Sequence, residues 1–306
     1  MGTGGFVIDA HLHVVDFLQH PMPAAELTHV LTDQTTDGAV VFGLPVKKKW
    51  ATSEPQRPTY YLDDNAPCAG YSLTDELVAT LVGQLDAAVR SRVAPLVCGL
   101  DPTDLLAPEH VELVAARHGI WRGVGELLLR HDDLTELTYG ENARANHPAL
   151  DGVLDVCAAR DWPALVHQDA SSAGRSHERE YVGELTDMLA RHPDVPVVWA
   201  HAGVSRRVRP HDHARLLDEL LTAHDTLHVD LSWAVADLAL SDGDPHPDWV
   251  RLLTRHPDRF VLGSDTFGNP HGQNDRLLLW APLVERLAGS EADLVRTGNA
   301  QRLWFD

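Results

Sequence analysis

An apolar run at residues 6–11 leads into Asp9-Ala10-His11-Leu12-His13. Side chains alternate along a strand, so His11 and His13 face the same way, and two imidazoles at that spacing can grip one metal ion. In a chain with 19 histidines such a pair arises easily by chance. Its partners make it informative. PALVH ends at His167, VPVVWAH ends at His201 and is followed by Ala202-Gly203, RFVLGSD ends at Asp265, and IWRGVGELLL carries Glu126 near its end. Five apolar runs thus end in imidazole or carboxylate groups. Such ligands suit Zn²⁺ best, with Fe²⁺ or Mn²⁺ as alternatives.

To bring five ends together, the elements must converge. Eight short apolar runs, at 6–11, 38–45, 93–100, 120–129, 163–167, 195–201, 227–232 and 259–265, alternate with stretches of helical periodicity such as Leu73–Ser91, His147–Arg160, Tyr181–His192 and Asp275–Leu287. Eight strand–helix units predict an α/β fold, a (β/α)8 TIM barrel, with a doubly wound sheet as the alternative. In a barrel all strand C-termini open on one face, where catalytic residues collect. A single barrel domain over 1–306 is expected, with no accessory β-sandwich domain. Active-site loop insertions are expected at 46–71 and 130–146, which follow strand ends.

Lys and Arg number 25 against 45 Asp and Glu, a formal charge of −20. That balance argues against nucleic-acid and anionic-membrane partners, which need clustered cations. Cys68, Cys98 and Cys157 are far apart and form no CxxC pair, as in a reduced, cytoplasmic protein. No signal peptide and no membrane-length apolar run is evident. The expected partner is a small-molecule substrate, with a homodimer as the family-level guess.

The order DAHLH, strand-end His167, HAG at 201–203, GSD at 263–265 and the ending GNAQRLWFD resembles the amidohydrolase superfamily, and within it the amidohydrolase-2 branch. That resemblance implies a one-metal site with His11, His13, His167 and Asp265 as ligands and His201 as an acid or electrophile beside the bound water. Gly125-Glu126 also resembles the strand-4 Gly-Glu of TatD-like relatives. There a bridging Glu126 would let His167 and His201 hold a second ion. Both arrangements imply a metal-activated water, with Asp265 as general base and then acid. The reading is hydrolysis of a C–N or C–O bond in an amide, lactam, lactone or ester. The alternative is metal-dependent decarboxylation of an aromatic or enoic acid. A TatD-like nuclease and a non-catalytic metal-binding barrel rank below both.

Trp233, near the seventh run's end, and Arg130 in the 130–146 loop are candidates for substrate contact, and Asp230 is a candidate for contact with substrate or with a ligand histidine. Asp9 is expected on His11's face, supporting the strand or the site. Lys47 to Lys49 are expected in a solvated loop, with binding of a substrate carboxylate as the alternative, His211 and His213 in solvent before a helix, and His246, His256 and His271 in surface turns. Cys98 and Cys157 read as core residues.

Overall fold

The computed structural model describes residues 7–33, 36–131, 134–267 and 272–306. Eight parallel strands carry the fold: β1 (Val7–Val15), β2 (Thr36–Gly43), β3 (Val93–Pro95), β4 (Val124–Leu128), β5 (Ala164–His167), β6 (Val197–Trp199), β7 (Leu227–Leu231) and β8 (Phe260–Leu262). Each is a β-branched or aliphatic run buried on both faces, as a parallel strand between core and helices must be. β1, β2 and β3 pair in order, as do β4 through β8. The two arcs join through a Val97–Val124 bridge and through the segment after β8, where Thr266 and Phe267 pair with Leu12 and His13. The chain is an α/β barrel.

Helices wrap the outside: α1 (Ala24–Asp33), α2 (Leu73–Gln84), α3 (Ala107–Arg117), α4 (Pro148–Ala159), α5 (Val182–Arg191), α6 (His213–Ala223), α7 (Pro247–Arg255), α8 (Gln273–Leu278) and α9 (Asn299–Trp304). Two of them start alike. His147 and His246 each precede a proline, and each ring nitrogen accepts a backbone N–H of the first turn. The last predicted helix is interrupted, because Pro282 has no N–H to continue α8.

The barrel interior is filled by Ile8, Ala10, Val40, Phe42, Ala94, Leu96, Cys98, Leu165, Val198 and Val261, with Trp304 of α9 packed against them. Asn299 fixes α9 by donating to the carbonyls of Pro257 and Phe260, both at 2.8 Å. The outer layer packs Leu12, Val14, Val41 and Val166 against helix side chains such as Leu27 and Val78.

Ile8 and Ala10 therefore face inward while Leu12 and Val14 face outward. Strict alternation forbids this, so the strand must change phase between them. The ladder with β2 is irregular between Asp9 and Leu12, the mark of a bulge. The bulge turns His11 and His13 into the barrel mouth and leaves Asp9 toward the β1–β8 seam. There Asp9 accepts from the Ser264 N–H (2.9 Å), Ser264 Oγ (2.7 Å) and Gln273 Nε2 of α8 (2.8 Å). The expectation that Asp9 shares His11's face is corrected. Its supporting role stands, since it also accepts the His11 backbone N–H at 3.1 Å.

Three other expectations change. Lys48 is buried, ion-paired to Asp64 at 2.8 Å, because the hairpin of Val46–Lys48 and Cys68–Gly70 folds the loop back over it. His213 is buried rather than solvated, its Nε2 donating to the Ala202 carbonyl at 2.8 Å. His256 is mostly covered and bonds Asp218 at 2.8 Å. His271 lies outside the described residues. All three cysteines are buried and free.

Candidate metal centre

Five strand ends meet at one point. His11 Nε2 and His13 Nε2 lie 3.2 Å apart. Glu126 Oε2 sits 3.7 Å from the first and 3.5 Å from the second. Asp265 Oδ1 approaches the same nitrogens at 3.5 and 3.4 Å. His201 Nε2 reaches Glu126 Oε1 at 3.3 Å. His11, His13, Glu126, His167 and His201 are no more than 2% exposed, and Asp265 is 9% exposed, at the opening of a cavity of about 280 Å³.

The backbone is built around these atoms. At Gly125 φ is +138°, and a Cβ would lie 2.5 Å from the Leu165 carbonyl oxygen, so only glycine lets β4 pass β5 here. At Gly263 a Cβ would meet His11 Cβ at 2.5 Å. Four non-glycine residues at the mouth are left-handed: His201 (φ 53°), Ala202 (51°), Trp233 (47°) and Asp265 (49°). Such conformations cost energy and cluster at functional sites.

A hydrogen-bond chain sets the histidine tautomers. His11 Nδ1 donates to Asp230 Oδ2 at 2.7 Å. Ser232 Oγ donates to that same oxygen at 2.8 Å and so accepts from His201 Nδ1 at 2.7 Å. With their Nδ1 protons committed, His11 and His201 turn Nε2 lone pairs inward. Two lone pairs and two carboxylates facing one point require a positive charge between them. The groups fit a divalent cation of the kind held by imidazole and carboxylate, and His11–His13–Asp265 and His11–Glu126–His201 each gather within metal-ligating reach.

The titration behaviour agrees. Burial pushes the Glu126 carboxyl up, but His11, His167 and His201 outweigh it and hold it well below the usual range. Burial likewise opposes ionisation of Asp265, and His13, His201 and His11 nevertheless bring it down to about 2. Burial disfavours a charged His11, yet Glu126 and Asp230 raise it well above an ordinary imidazole. Each shift reports the same demand for positive charge.

His167 stands one step back. Its Nδ1 meets Glu126 Oε1 at 2.9 Å and its Nε2 meets Asp169 Oδ1 at 3.3 Å. Burial lowers its pKa, but the bonds to Asp169 and Glu126 raise it to about 10. His131 stacks on it at 4.2 Å, with Nδ1 accepting from the Leu134 N–H at 3.1 Å.

Of the substrate candidates, Trp233 lines the cavity. Asp230 does not. It is fully buried beneath His11, because its oxygen is needed to orient that ring. Arg130 is also redirected, forming a two-point pair with Glu184 at 3.0 and 2.6 Å and stacking on Tyr181. Both its charge and its flat face are occupied away from the cavity. Ser232 and Asp169 escaped sequence reading, although each lies two residues after a singled-out position and so shares its face. His131, Tyr60, Tyr61, Arg206 and Arg276 also line or flank the cavity from loops and α8, with no periodic signal to find them.

The sequence matches the Amidohydrolase family profile over residues 8–305. This chain belongs to the amidohydrolase family. It is an enzyme of the amidohydrolase type, in a family that is generally metal-dependent and includes hydrolases and decarboxylases. No curated protein matches the sequence. Solved structures share its fold. A TIM-barrel protein of Bordetella bronchiseptica aligns with a TM-score of 0.61 at 13% identity, covering 97% of each chain. The dihydroorotase of Campylobacter jejuni gives 0.58 at 15% identity, covering 97% of this amidohydrolase and 82% of that chain. The IDCase of Metarhizium anisopliae gives 0.51 at 15%, covering 98% and 97%.

Proposed function

We propose that this amidohydrolase cleaves a C–N or C–O bond of a small molecule, an amide, lactam, lactone or ester, with Asp265 as the proton carrier. One observation carries the reading. Asp265 touches both His11 and His13 and, at 9% exposed, is the most accessible member of the cluster at the cavity. His11, His13, Glu126 and Asp265 would hold the cation, with His201 beside them. Zn²⁺ matches these donors and, when bound, would supply Lewis acidity and lower the pKa of a water at the site to about 7.

Asp265 takes the proton released as water oxygen adds to the carbonyl carbon. It returns that proton to the leaving nitrogen or oxygen as the bond breaks. His201 is directed at the cavity floor by Ser232, where it steadies the developing oxyanion. The geometry favours one ion over two. Both candidate triads include His11, whose Nδ1 is spent on Asp230 and whose remaining nitrogen serves a single ion. His167, expected as a ligand, has both nitrogens on carboxylates and acts instead as a brace for Glu126.

Metal analysis of protein purified without chelator should return one transition-metal equivalent. Asp265→Asn should reduce kcat by about 100-fold or more while the fold is retained. Full activity in that variant would remove Asp265 from the reaction, and carbon dioxide as product would replace hydrolysis with decarboxylation.

A further inference from the structure

Among the described residues, six imidazoles and carboxylates line the cavity: His13, Glu126, His131, His167, His201 and Asp265. Five of them already have a part. His13, Glu126 and Asp265 are candidate ligands, His201 stands beside them, and His167 has both nitrogens on carboxylates. His131 has none so far.

His131 follows β4, and a tight turn fixes its backbone. Its N–H donates to the Leu129 carbonyl at 2.9 Å and to Thr135 Oγ1 at 3.1 Å. Its carbonyl accepts from the N–H groups of Leu134 (3.1 Å) and Thr135 (3.0 Å) and from Thr135 Oγ1 (2.7 Å). The ring is held as firmly. Nδ1 accepts from the Leu134 N–H at 3.1 Å, and one face lies on the His167 ring at 4.2 Å and 18°. Trp233 stands 6.0 Å away, tilted by 33°.

A ring nitrogen that accepts a hydrogen bond carries no proton, so the His131 proton sits on Nε2. Among the described residues Nε2 has no partner, yet it is not sealed off, so this N–H faces the open cavity that the ring lines. A neutral imidazole holds its proton at working pH. It can orient an acceptor without delivering a proton to it. Its stack on His167, the brace of Glu126, sets it one ring-width from the centre. An acceptor that meets it lies a few bonds from a carbonyl bound there.

We propose that His131 is a specificity-determining residue, whose Nε2–H donates to an uncharged oxygen that the substrate carries next to its scissile carbonyl. This rests on the hydrolase reading for the bond that is cut. It adds which side of the substrate is read, and by which atom.

The test pairs a spectrum with equilibrium binding, neither of which needs turnover. Imidazole nitrogen spectra by NMR, with the His131 signals assigned by their loss in His131→Phe, should show a protonated Nε2 and a bare Nδ1. On Zn²⁺-loaded protein, α-hydroxycyclopentanone should bind about fivefold tighter than cyclopentanone and should shift the Nε2–H signal. His131→Phe keeps a ring against His167 and removes the donor, and it should erase that preference. His131→Gln returns a donor near the same place and should restore part of it. Metal content and thermal midpoint should stay near the parent's in both variants, since the Leu134 N–H keeps the residue-131 carbonyl as acceptor.

A proton on Nδ1 in the parent overturns the proposal. So does failure of the hydroxyketone to bind more tightly, or a preference that survives in His131→Phe. Equal weakening of both ketones in His131→Phe also overturns it, since the ring would then only shape the loop. Hydrolysis is followed separately with γ-butyrolactone and its α-hydroxy derivative. A preference that depends on His131, without hydrolysis of either lactone, would remove the hydrolase reading and keep the His131 site. Hydrolysis of the lactones without that preference would do the reverse.

Discussion

At the scale of residues, the centre depends on atoms that never reach the substrate. Asp230 and Ser232 decide which nitrogen of His11 and of His201 carries the proton. Outer partners of this kind are worth about 10–100-fold in metal affinity. Asp230→Asn keeps the volume but replaces an oxygen acceptor pair with a mixed amide. It should lower metal affinity by about that factor, read by competition with a chelator, with little change in thermal stability of the loaded protein. Unchanged affinity would show that His11 is oriented by packing alone. The ligand candidates were legible because strand ends in a barrel share one face, and a polar residue closing an apolar run is visible in the sequence. Arg130 was misread for a physical reason. A long, flexible cation takes whichever carboxylate packing brings near, and Glu184 is 54 residues away. His131 sits on a loop, where no period says which side chain turns inward.

At the scale of elements, β4 shows how backbone freedom places a candidate ligand, Glu126. Its ladder to β5 shifts between Val124 and Leu127, and Gly125 lies in that shift against the Leu165 carbonyl. Gly125→Ala should cost about 3 kcal/mol in chemical denaturation and also reduce metal content, because Glu126 must move with the strand. A stability loss with full metal loading would separate the two effects. The 46–71 segment is pinned by a different device. Lys48 is inside it, paired with Asp64. Lys48→Ala removes the partner of Asp64 and of the Asp64 and Ala66 carbonyls and should lower the thermal midpoint. The eight strands were readable because parallel strands are continuous apolar runs. Lys48 was not, since a triplet of lysines looks solvated until the loop that folds over it is known.

At the scale of the whole molecule, acid should unfold the protein sooner than carboxylates alone would dictate. Burial lowers His213 to about 4, and it lowers His228 to about 4 as well. Between pH 6.5 and 4 the unfolded chain binds protons that the folded chain refuses, so stability falls as pH drops through that window. The loss approaches about 3 kcal/mol per histidine at its upper bound. Thermal midpoints measured from pH 7 to 4 should therefore fall, and His228→Gln should flatten the curve. An unaltered slope in that variant would assign the effect to carboxylates. Among the described residues no helix is long and apolar enough to cross a membrane.

The irregular step in β1 has a consequence for how such proteins tolerate change. Ile8 and Ala10 point one way only because the chain slips phase before Leu12. The pair of imidazoles that faces the mouth is therefore written in a reading frame, and the frame is set by a residue outside the candidate ligand set. Substituting Ala10 with another small side chain leaves the frame intact, whereas deleting Leu12 makes the two histidines neighbours on opposite faces and takes one imidazole out of the mouth. Point mutations in this stretch and single-residue deletions should thus fall into separate classes, the first graded and the second all-or-none.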